Sequence, residues 1–318
     1  MANKLIVSAA PHITSADSTS KIMGRVCIAL LPTLIASVLI FGFQALLLTA
    51  VTVAACVVFE YAYCKLVGRD VTISDLSAVV TGLLLAFNLP AGLPVWMSLV
   101  GAFIAIVIIK QLFGGLGYNF ANPAIVGRIA MALGFTGAMT SYTYPENGID
   151  ALASATPLAV EETAQNAGSY VTLLLGNHGG VLGETCAITL LIGGIYLIWT
   201  KVISPMIPVT YLVTVAVLSL CFGLDPIVQL LSGGLMLGAF FMATDYVTSP
   251  TTQKGKLIFG LGLGVITCAI RFLGTMAEGV SFSILLMNLV VPYIEVLTRQ
   301  DKLGIAKVKK SKKEGAGK

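Results

Sequence analysis

The chain has 318 residues, of which 57% are hydrophobic and only 11% are charged, and its formal net charge is +4. Ordinary soluble domains carry about 25% charged residues, so this composition excludes a water-soluble enzyme. Apolar runs recur from residue 22 to residue 297 without a long polar region, which predicts one polytopic, all-α membrane domain in a lipid bilayer.

The two ends of the chain are polar and differ in charge. Residues 1–21 contain His12 and Asp17 and have no apolar core, so they are not typical of a cleavable signal peptide. Residues 299–318 hold eight Lys or Arg residues against two acids. We expect a cytoplasmic N-terminal segment over residues 1–21, a membrane domain over residues 22–298 and a basic cytoplasmic tail over residues 299–318.

Ten apolar segments are predicted to be transmembrane helices. A bilayer core about 30 Å thick needs about 20 helical residues, or fewer where helices are broken. Pro and Gly lie at nearly every boundary. The segments cover approximately residues 23–42, 45–66, 76–90, 95–112, 123–139, 181–200, 207–222, 227–243, 257–274 and 282–297.

The distribution of charge predicts the orientation, because Lys and Arg are retained on the cytoplasmic side. With the N-terminus inside and ten crossings, nine of the eleven basic residues before the tail fall inside, namely Lys4, Lys21, Arg25, Lys65, Arg69, Lys110, Lys201, Lys254 and Lys256. The outer segments carry only acids, namely Glu146, Asp150, Glu161, Glu162, Glu184, Asp225 and Glu278. The loop over residues 140–180 lacks Lys and Arg and is predicted to face outward.

Two halves of five segments each would have opposite orientation, which is the parity of an inverted repeat. A weak sequence similarity accompanies it. The third segment follows Asp75 and contains Thr81-Gly82, and the eighth follows Asp225 and contains Ser232-Gly233. Two inverted five-helix repeats predict a binding site between the halves, built by broken helices.

The six cysteines are scattered through apolar segments, without a C-x-x-C pair or a Cys/His cluster of metal-ligand spacing. They are interpreted as buried structural thiols, and no metal site is predicted. His12 and His178 are isolated in the sequence, and we assign them no chemistry.

The outward loop contains Asp150-Ala-Leu-Ala-Ser154-Ala155-Thr156-Pro157. Thr followed by Pro is a good helix start, with Thr156 as the N-cap and Pro157 at the first helical position. The same geometry suits a phosphoester on Thr156, because a phosphate there would meet unpaired backbone amides and the positive end of the helix dipole. The residues alone leave both interpretations open.

Polar residues also occur at three predicted helix ends. Asn119 and Asn122 in Gly117-Tyr-Asn-Phe-Ala-Asn-Pro123 either cap a helix or bind a ligand through their amides. Asp245 is predicted to bind a ligand, to coordinate a passing cation or to lie in a solvated loop. Arg271, near the outer end of the ninth segment, is expected to pair with Glu278 or with a phosphate on Thr156.

Arg128 lies about 9 Å into its helix by the helical rise, so we expect it to extend to the cytoplasmic surface as an anchor.

These motifs are distributed along nearly the whole chain, together with Ser8-Ala-Ala-Pro11-His12 and Thr244-Asp245-Tyr246-Val-Thr-Ser-Pro250. Together they resemble the D subunit of the Rnf-type ion-translocating ferredoxin:NAD oxidoreductase, and more distantly the B subunit of the sodium-pumping NADH:quinone oxidoreductase. The family's attachment motif has the form D-x-x-[ST]-G-A-T. Asp150, Ala155 and Thr156 match it, whereas Ala153 and Ser154 replace the usual hydroxyl residue and Gly, and Tyr246 replaces a frequent Pro.

The resemblance implies a membrane electron-transfer component of an oxidoreductase that couples ferredoxin oxidation and NAD reduction to outward sodium or proton transport. It implies covalent FMN on Thr156, attached within the motif of Asp150, Ser154 and Ala155, whose phosphate Arg271 is expected to contact. It also implies a noncovalent riboflavin. The segments that bind riboflavin in the family carry Thr81, Asn119, Asn122 and Asp245 here.

The implied partners are the other membrane and peripheral subunits of the complex, including an outward-facing flavoprotein and iron–sulfur subunits, and a flavin transferase, with no nucleic acid. The implied location is the prokaryotic cytoplasmic (inner) membrane. Two alternatives remain at this point: an inverted-repeat solute channel or transporter, and the corresponding subunit of a quinone-reducing sodium pump. Composition and topology do not separate a channel or transporter from an electron-transfer subunit.

Overall fold

A computed structural model of the chain describes residues 17–142, 169–176, 179–184, 186–274 and 279–299. Within these ranges the regular elements are helical, and a single isolated β-bridge joins Pro90 to Val181. The helices are α1 Thr19–Phe41, α2 Phe43–Val67, α3 Ser77–Phe87, α4 Val95–Phe103, α5 Pro123–Gly134, α6 Thr136–Met139, α7 Ser169–Leu175, α8 Ala187–Trp199, α9 Met206–Cys221, α10 Pro226–Leu231, α11 Leu235–Leu237, α12 Gln253–Leu273 and α13 Val280–Thr298. A short 3-10 helix, Ile73–Asp75, precedes α3, and two π-helices, Ile104–Gln111 and Gly238–Met242, continue α4 and α11.

The all-helical prediction is confirmed for the described residues, and each predicted apolar segment corresponds to a helix or to a broken helix. Four described helices, α1, α2, α12 and α13, are long and apolar enough to cross a membrane. Helices α3, α5 and α8 have 11, 12 and 13 residues. At 1.5 Å per residue they span about 16–20 Å, less than a bilayer core. Ten crossings therefore stay a prediction.

The eighth predicted segment is a broken helix. Helix α10 ends at Leu231, and the chain is unwound through Ser232, Gly233 and Gly234 before α11 begins. Gly233 and Gly234 have φ angles of 72° and 65°, a left-handed conformation that side chains disfavour. Glycine at both positions therefore permits the break, and the break leaves backbone groups that need other partners.

The two halves of the chain pack with similar neighbours. In the first half α2 contacts both α3 and α4, and in the second half α9 contacts both α10 and α12. The halves meet where α1 packs against α8 and where α5 packs against α13. Helices α9 and α12 pack so closely that a Cβ atom at Gly260 would collide with Thr210.

Residues 181–184 lie inside the fold, although the sequence predicts that a helix begins here. The amides of Leu182 and Gly183 donate to the carbonyl oxygens of Leu89 and Phe87, at 3.1 and 2.8 Å, so this segment closes the end of α3. The Ser37 hydroxyl donates to the Leu182 carbonyl oxygen at 2.6 Å. We call residues 181–184 the anchored segment; the helix itself begins at Ala187.

Candidate functional site

A partly open cavity lies between the two halves of the chain. Thr81, Asn119, Asn122 and Asp245, the four residues predicted as riboflavin contacts, all line it. They come from α3, from the loop before α5 and from the loop after the second π-helix, so the fold brings together residues up to 164 positions apart in the sequence. We call this space the central cavity.

The two asparagines have different partners. Asn122 is the N-cap of α5, since its Oδ1 accepts from the amides of Ala124 and Ile125 at 3.0 and 3.4 Å, and its Nδ2 donates to the Met242 carbonyl oxygen at 3.4 Å. Asn119 is 9% exposed, and its buried Oδ1 atom has no hydrogen-bond partner among the described residues. A buried acceptor without a donor is costly, so Asn119 is suited to accept a hydrogen bond from a ligand.

Thr81 and Asp245 complete the predicted set. The Thr81 hydroxyl donates to the Ser77 carbonyl oxygen at 2.9 Å, so it is held by its own helix. Asp245 lies in the loop after the second π-helix and accepts from the Thr248 hydroxyl at 3.2 Å. Loss of hydration raises the pKa of Asp245, and hydrogen bonds from Thr248 and from the backbone of Val247 and Tyr246 partly oppose this rise.

A buried ion pair that the sequence patterns did not predict adjoins the central cavity. The Lys110 ammonium lies 2.7 Å from Glu60 Oε2 and 2.6 Å from the Ser77 hydroxyl, while Thr72 donates to Glu60 Oε1 at 3.0 Å. Lys110 and Glu60 are 1% and 0% exposed. Lys110, predicted at the cytoplasmic end of the fourth segment, is thus buried against Glu60 within the π-helix.

One sequence signal for this pair was available. Glu60 lies within the second predicted apolar segment and Lys110 within the fourth, and two opposite charges within apolar segments are stabilised when they pair. Because Lys110 lines the central cavity, the pair also places a positive charge at its wall.

The rest of the cavity wall is mainly apolar. Leu84, Leu197, Phe240 and Phe241 line it together with residues of α1. Cofactor sites commonly combine an apolar lining with a few polar groups that fix orientation. The free Asn119 acceptor within an apolar, aromatic wall fits a planar heterocycle that carries a ring N–H, as the isoalloxazine of a flavin does.

On the other side of the helix break, Arg271 is bound to backbone carbonyls. Its terminal nitrogens donate to the carbonyl oxygens of Gln229, Ser232 and Gly233 at 2.7, 3.0 and 3.2 Å. The Nε atom has no hydrogen-bond partner among the described residues. Glu278 and Thr156, its predicted partners, lie outside the described residues.

Glu184 and Arg128 are both buried. Glu184, which the sequence places among the acids of the outer segments, is 2% exposed and accepts from the Gly233 amide. The break exposes that amide, and the carboxylate satisfies it. The helical rise predicts that Arg128 extends to the cytoplasmic surface, but it is 7% exposed and donates to the Ser281 hydroxyl at the start of α13.

The attachment motif of Asp150, Ser154, Ala155 and Thr156 lies outside the described residues. Within the described ranges there is no group of three or more His, Cys, Asp or Glu side chains placed to hold a metal ion. The cysteines are free thiols; Cys56, Cys64, Cys186 and Cys268 are buried as predicted, whereas Cys27 is only partly buried and Cys221 is exposed.

Comparisons with known proteins agree along the whole chain. The sequence model of the NQR2, RnfD, RnfE family matches residues 6–304. The D subunit of the Na(+)-translocating ferredoxin:NAD(+) oxidoreductase complex of Acetobacterium woodii is 48% identical over 313 residues, which cover 97% of this chain and 98% of that protein. The D subunit of the proton-translocating ferredoxin:NAD(+) oxidoreductase complex of Clostridium ljungdahlii is 43% identical over 320 residues, covering 95% and 97%. The D subunit of the ion-translocating oxidoreductase complex of Alcanivorax borkumensis is 36% identical over 326 residues, covering 93% and 95%.

Proposed function

The chain belongs to the NQR2, RnfD, RnfE family, and on this premise we propose that it is the membrane electron-transfer D subunit of an ion-translocating ferredoxin:NAD oxidoreductase. Relatives named for sodium and for proton translocation are similar to it over nearly their whole length. Its partners are the other subunits of that complex, including an outward-facing flavoprotein and iron–sulfur subunits, and the flavin transferase that modifies it. The chain alone does not catalyse the overall reaction.

The central cavity is proposed to hold riboflavin noncovalently. The observation that supports this most strongly is the free Asn119 acceptor in a cavity that Thr81, Asn122 and Asp245 also line. A flavin bound there supplies one- and two-electron transfer. The chain supplies orientation through Asn119, an apolar wall that excludes water, and the Lys110 charge held in place by Glu60.

FMN is proposed to be esterified through its phosphate to Thr156, within the motif that includes Asp150, Ser154 and Ala155. The motif supports this, since Thr156 before Pro157 is a good helix start where a phosphate meets unpaired amides. Arg271 is proposed as a contact of that phosphate. Its terminal nitrogens are bound to carbonyls, so its free Nε–H is the group that would donate.

The membrane arrangement is proposed to comprise ten crossings in two inverted five-helix repeats, with both chain ends in the cytoplasm and Thr156 outside the cytoplasmic membrane. One feature of the fold supports the repeat. The carboxylate of Asp75 accepts from the Ser77 amide at 2.8 Å, and that of Asp225 accepts from the Ile227 amide at 2.9 Å. In each half an aspartate close before the third helix thus bonds an amide of its first turn, although Asp225 is the N-cap whereas Asp75 precedes the N-cap Leu76.

The experiment that tests covalent attachment is flavin fluorescence of the denatured polypeptide on a gel. Wild type, Thr156→Ala and the matched control Ser154→Ala are each produced together with a flavin transferase. We expect a fluorescent band for wild type and the control and a dark band for Thr156→Ala, because only Thr156 provides the oxygen of the phosphoester.

A dark wild-type band, obtained with a transferase that is active on another substrate, would contradict the covalent flavin. Fluorescence that survives Thr156→Ala would place the attachment on a different residue.

A further inference from the structure

A second, partly open cavity adjoins the central cavity and shares Ile203, Thr244 and Tyr246 with it. The remaining wall includes Ser204, Ser249, Thr251 and Lys256. Because hydroxyl groups dominate its polar lining, we call it the hydroxyl cavity. The two cavities differ in chemistry, since the central cavity is lined largely by Leu, Ile, Val and Phe side chains.

Tyr246 stands at the junction of the two cavities. Its hydroxyl donates to the Val202 carbonyl oxygen, which fixes the ring between the loop after α8 and the loop after the second π-helix. Together with Ile203 and Thr244, the residue forms the wall that the two spaces share.

Each cavity offers polar groups that are free to bind a ligand. In the central cavity Ser77, Thr81 and Asn122 already make hydrogen bonds within the protein, which leaves the Asn119 acceptor. In the hydroxyl cavity the hydroxyls of Thr244, Tyr246 and Thr251 are likewise bonded. In the hydroxyl cavity Ser204 and Ser249 make no side-chain hydrogen bond to any described residue, and Lys256 forms no ion pair with one. Hydroxyl groups of a bound ligand need such partners, because an unpaired buried hydroxyl is costly.

We propose that the hydroxyl cavity binds the hydroxylated ribityl chain of the noncovalent flavin, while the isoalloxazine ring occupies the central cavity. Ser204 and Ser249 donate to and accept from the ribityl hydroxyls, and Tyr246 positions the flavin at the point where ring and chain join. This inference rests on the proposed function and specifies the orientation of the flavin within it.

The test compares riboflavin with lumiflavin, which has the same ring but lacks the ribityl chain. The purified complex is freed of noncovalent flavin, and binding of each compound is measured by equilibrium dialysis with chromatographic quantification. The variant is Ser204→Ala with Ser249→Ala. The matched control is Ser98→Ala, whose hydroxyl donates to the Val95 carbonyl oxygen within its own helix and lines neither cavity.

Wild type is expected to bind riboflavin more tightly than lumiflavin. The double variant should bind riboflavin about 30-fold more weakly, which is the equivalent of two neutral hydrogen bonds, and should bind lumiflavin as wild type does. Ser98→Ala should bind both compounds as wild type does.

Equal weakening of both compounds would overturn the inference, because the two serines would then act on the ring or on the fold. Unchanged riboflavin binding in the double variant would overturn it as well, while leaving the flavin in the central cavity intact. Failure of wild type to bind either compound would instead overturn the noncovalent flavin of the proposed function, and the inference with it.

Discussion

Replacing Lys110 by methionine is expected to destabilise the chain strongly, because it leaves the Glu60 carboxylate buried without its counter-ion. The Lys110 ammonium lies 2.7 Å from Glu60 Oε2, and the two side chains are 1% and 0% exposed. Thr72 would remain as a donor to Glu60 Oε1, at 3.0 Å. One neutral hydrogen bond does not compensate a buried negative charge.

The expected loss is about 3–5 kcal/mol, the range for removal of one partner of a buried ion pair. A direct Coulomb attraction at 2.7 Å is of order 6 kcal/mol at an effective dielectric constant of about 20. The measured loss should be smaller, because the variant no longer removes the Lys110 ammonium from water. Methionine keeps most of the side-chain volume, so packing contributes little.

The assay is the temperature at which half of the purified complex loses its monodisperse form in detergent. At about 2–4 °C per kcal/mol, Lys110→Met should lower this temperature by roughly 10 °C. Lys254→Met is the matched control, since Lys254 is exposed in the first turn of α12. The control should remain within a degree or two of wild type.

The double variant Glu60→Gln with Lys110→Met tests whether the loss of stability is electrostatic. It removes both charges, so it should recover most of the loss that Lys110→Met causes alone. A double variant as unstable as the sum of the two single variants would refute the electrostatic explanation. A Lys110→Met protein as stable as the Lys254→Met control would refute it too.

Three further predictions concern other parts of the fold. Asn119→Leu removes the free acceptor in the central cavity, and acid extraction of the purified complex should then release at least tenfold less riboflavin per covalent FMN. Arg271→Gln should shift the midpoint potential of the covalent flavin if the guanidinium contacts its phosphate, and an unchanged redox titration would argue against that contact. Gly260→Leu should reduce the yield of folded complex, because a side chain there collides with Thr210, whereas Gly134→Leu should be tolerated, since no atom of the described residues lies within 4 Å of a Cβ atom there.

The sequence predicts helix positions well because the lengths of apolar runs and the Pro and Gly residues between them are local signals. Helices α1, α2 and α12 begin and end within about four residues of the predicted bounds. Four residues that line the central cavity, Thr81, Asn119, Asn122 and Asp245, were named from the sequence, since the resemblance assigns each of them by its motif. The positions of Asn119 and Asn122 before Pro123 are visible without any structure.

Pairing between distant residues is not predictable in the same way. The acidic outer loop that precedes Glu184 suggests a residue in water, but the break at Gly233 provides an amide that binds it. Lys110 counts as a cytoplasmic charge because it lies near the end of its apolar segment, and only the fold brings Glu60 to it. The distribution of charges along a sequence gives the sign of each residue but not the residues that contact it in the fold.

The anchored segment constrains how this chain can vary in length. Leu182 and Gly183 are bonded to the end of α3, and Glu184 is bonded to the break after α10, so four residues of chain fix one point relative to both halves. On the N-terminal side of that point α7 is held as well, because the Tyr170 hydroxyl donates to Asp225 Oδ2 at 2.7 Å. Insertions on the C-terminal side of that point, before Ala187, displace α8 against α1, where a Cβ atom at Gly193 would already collide with the Ala29 carbonyl oxygen. The number of residues between Leu182 and Ala187 is therefore expected to be fixed.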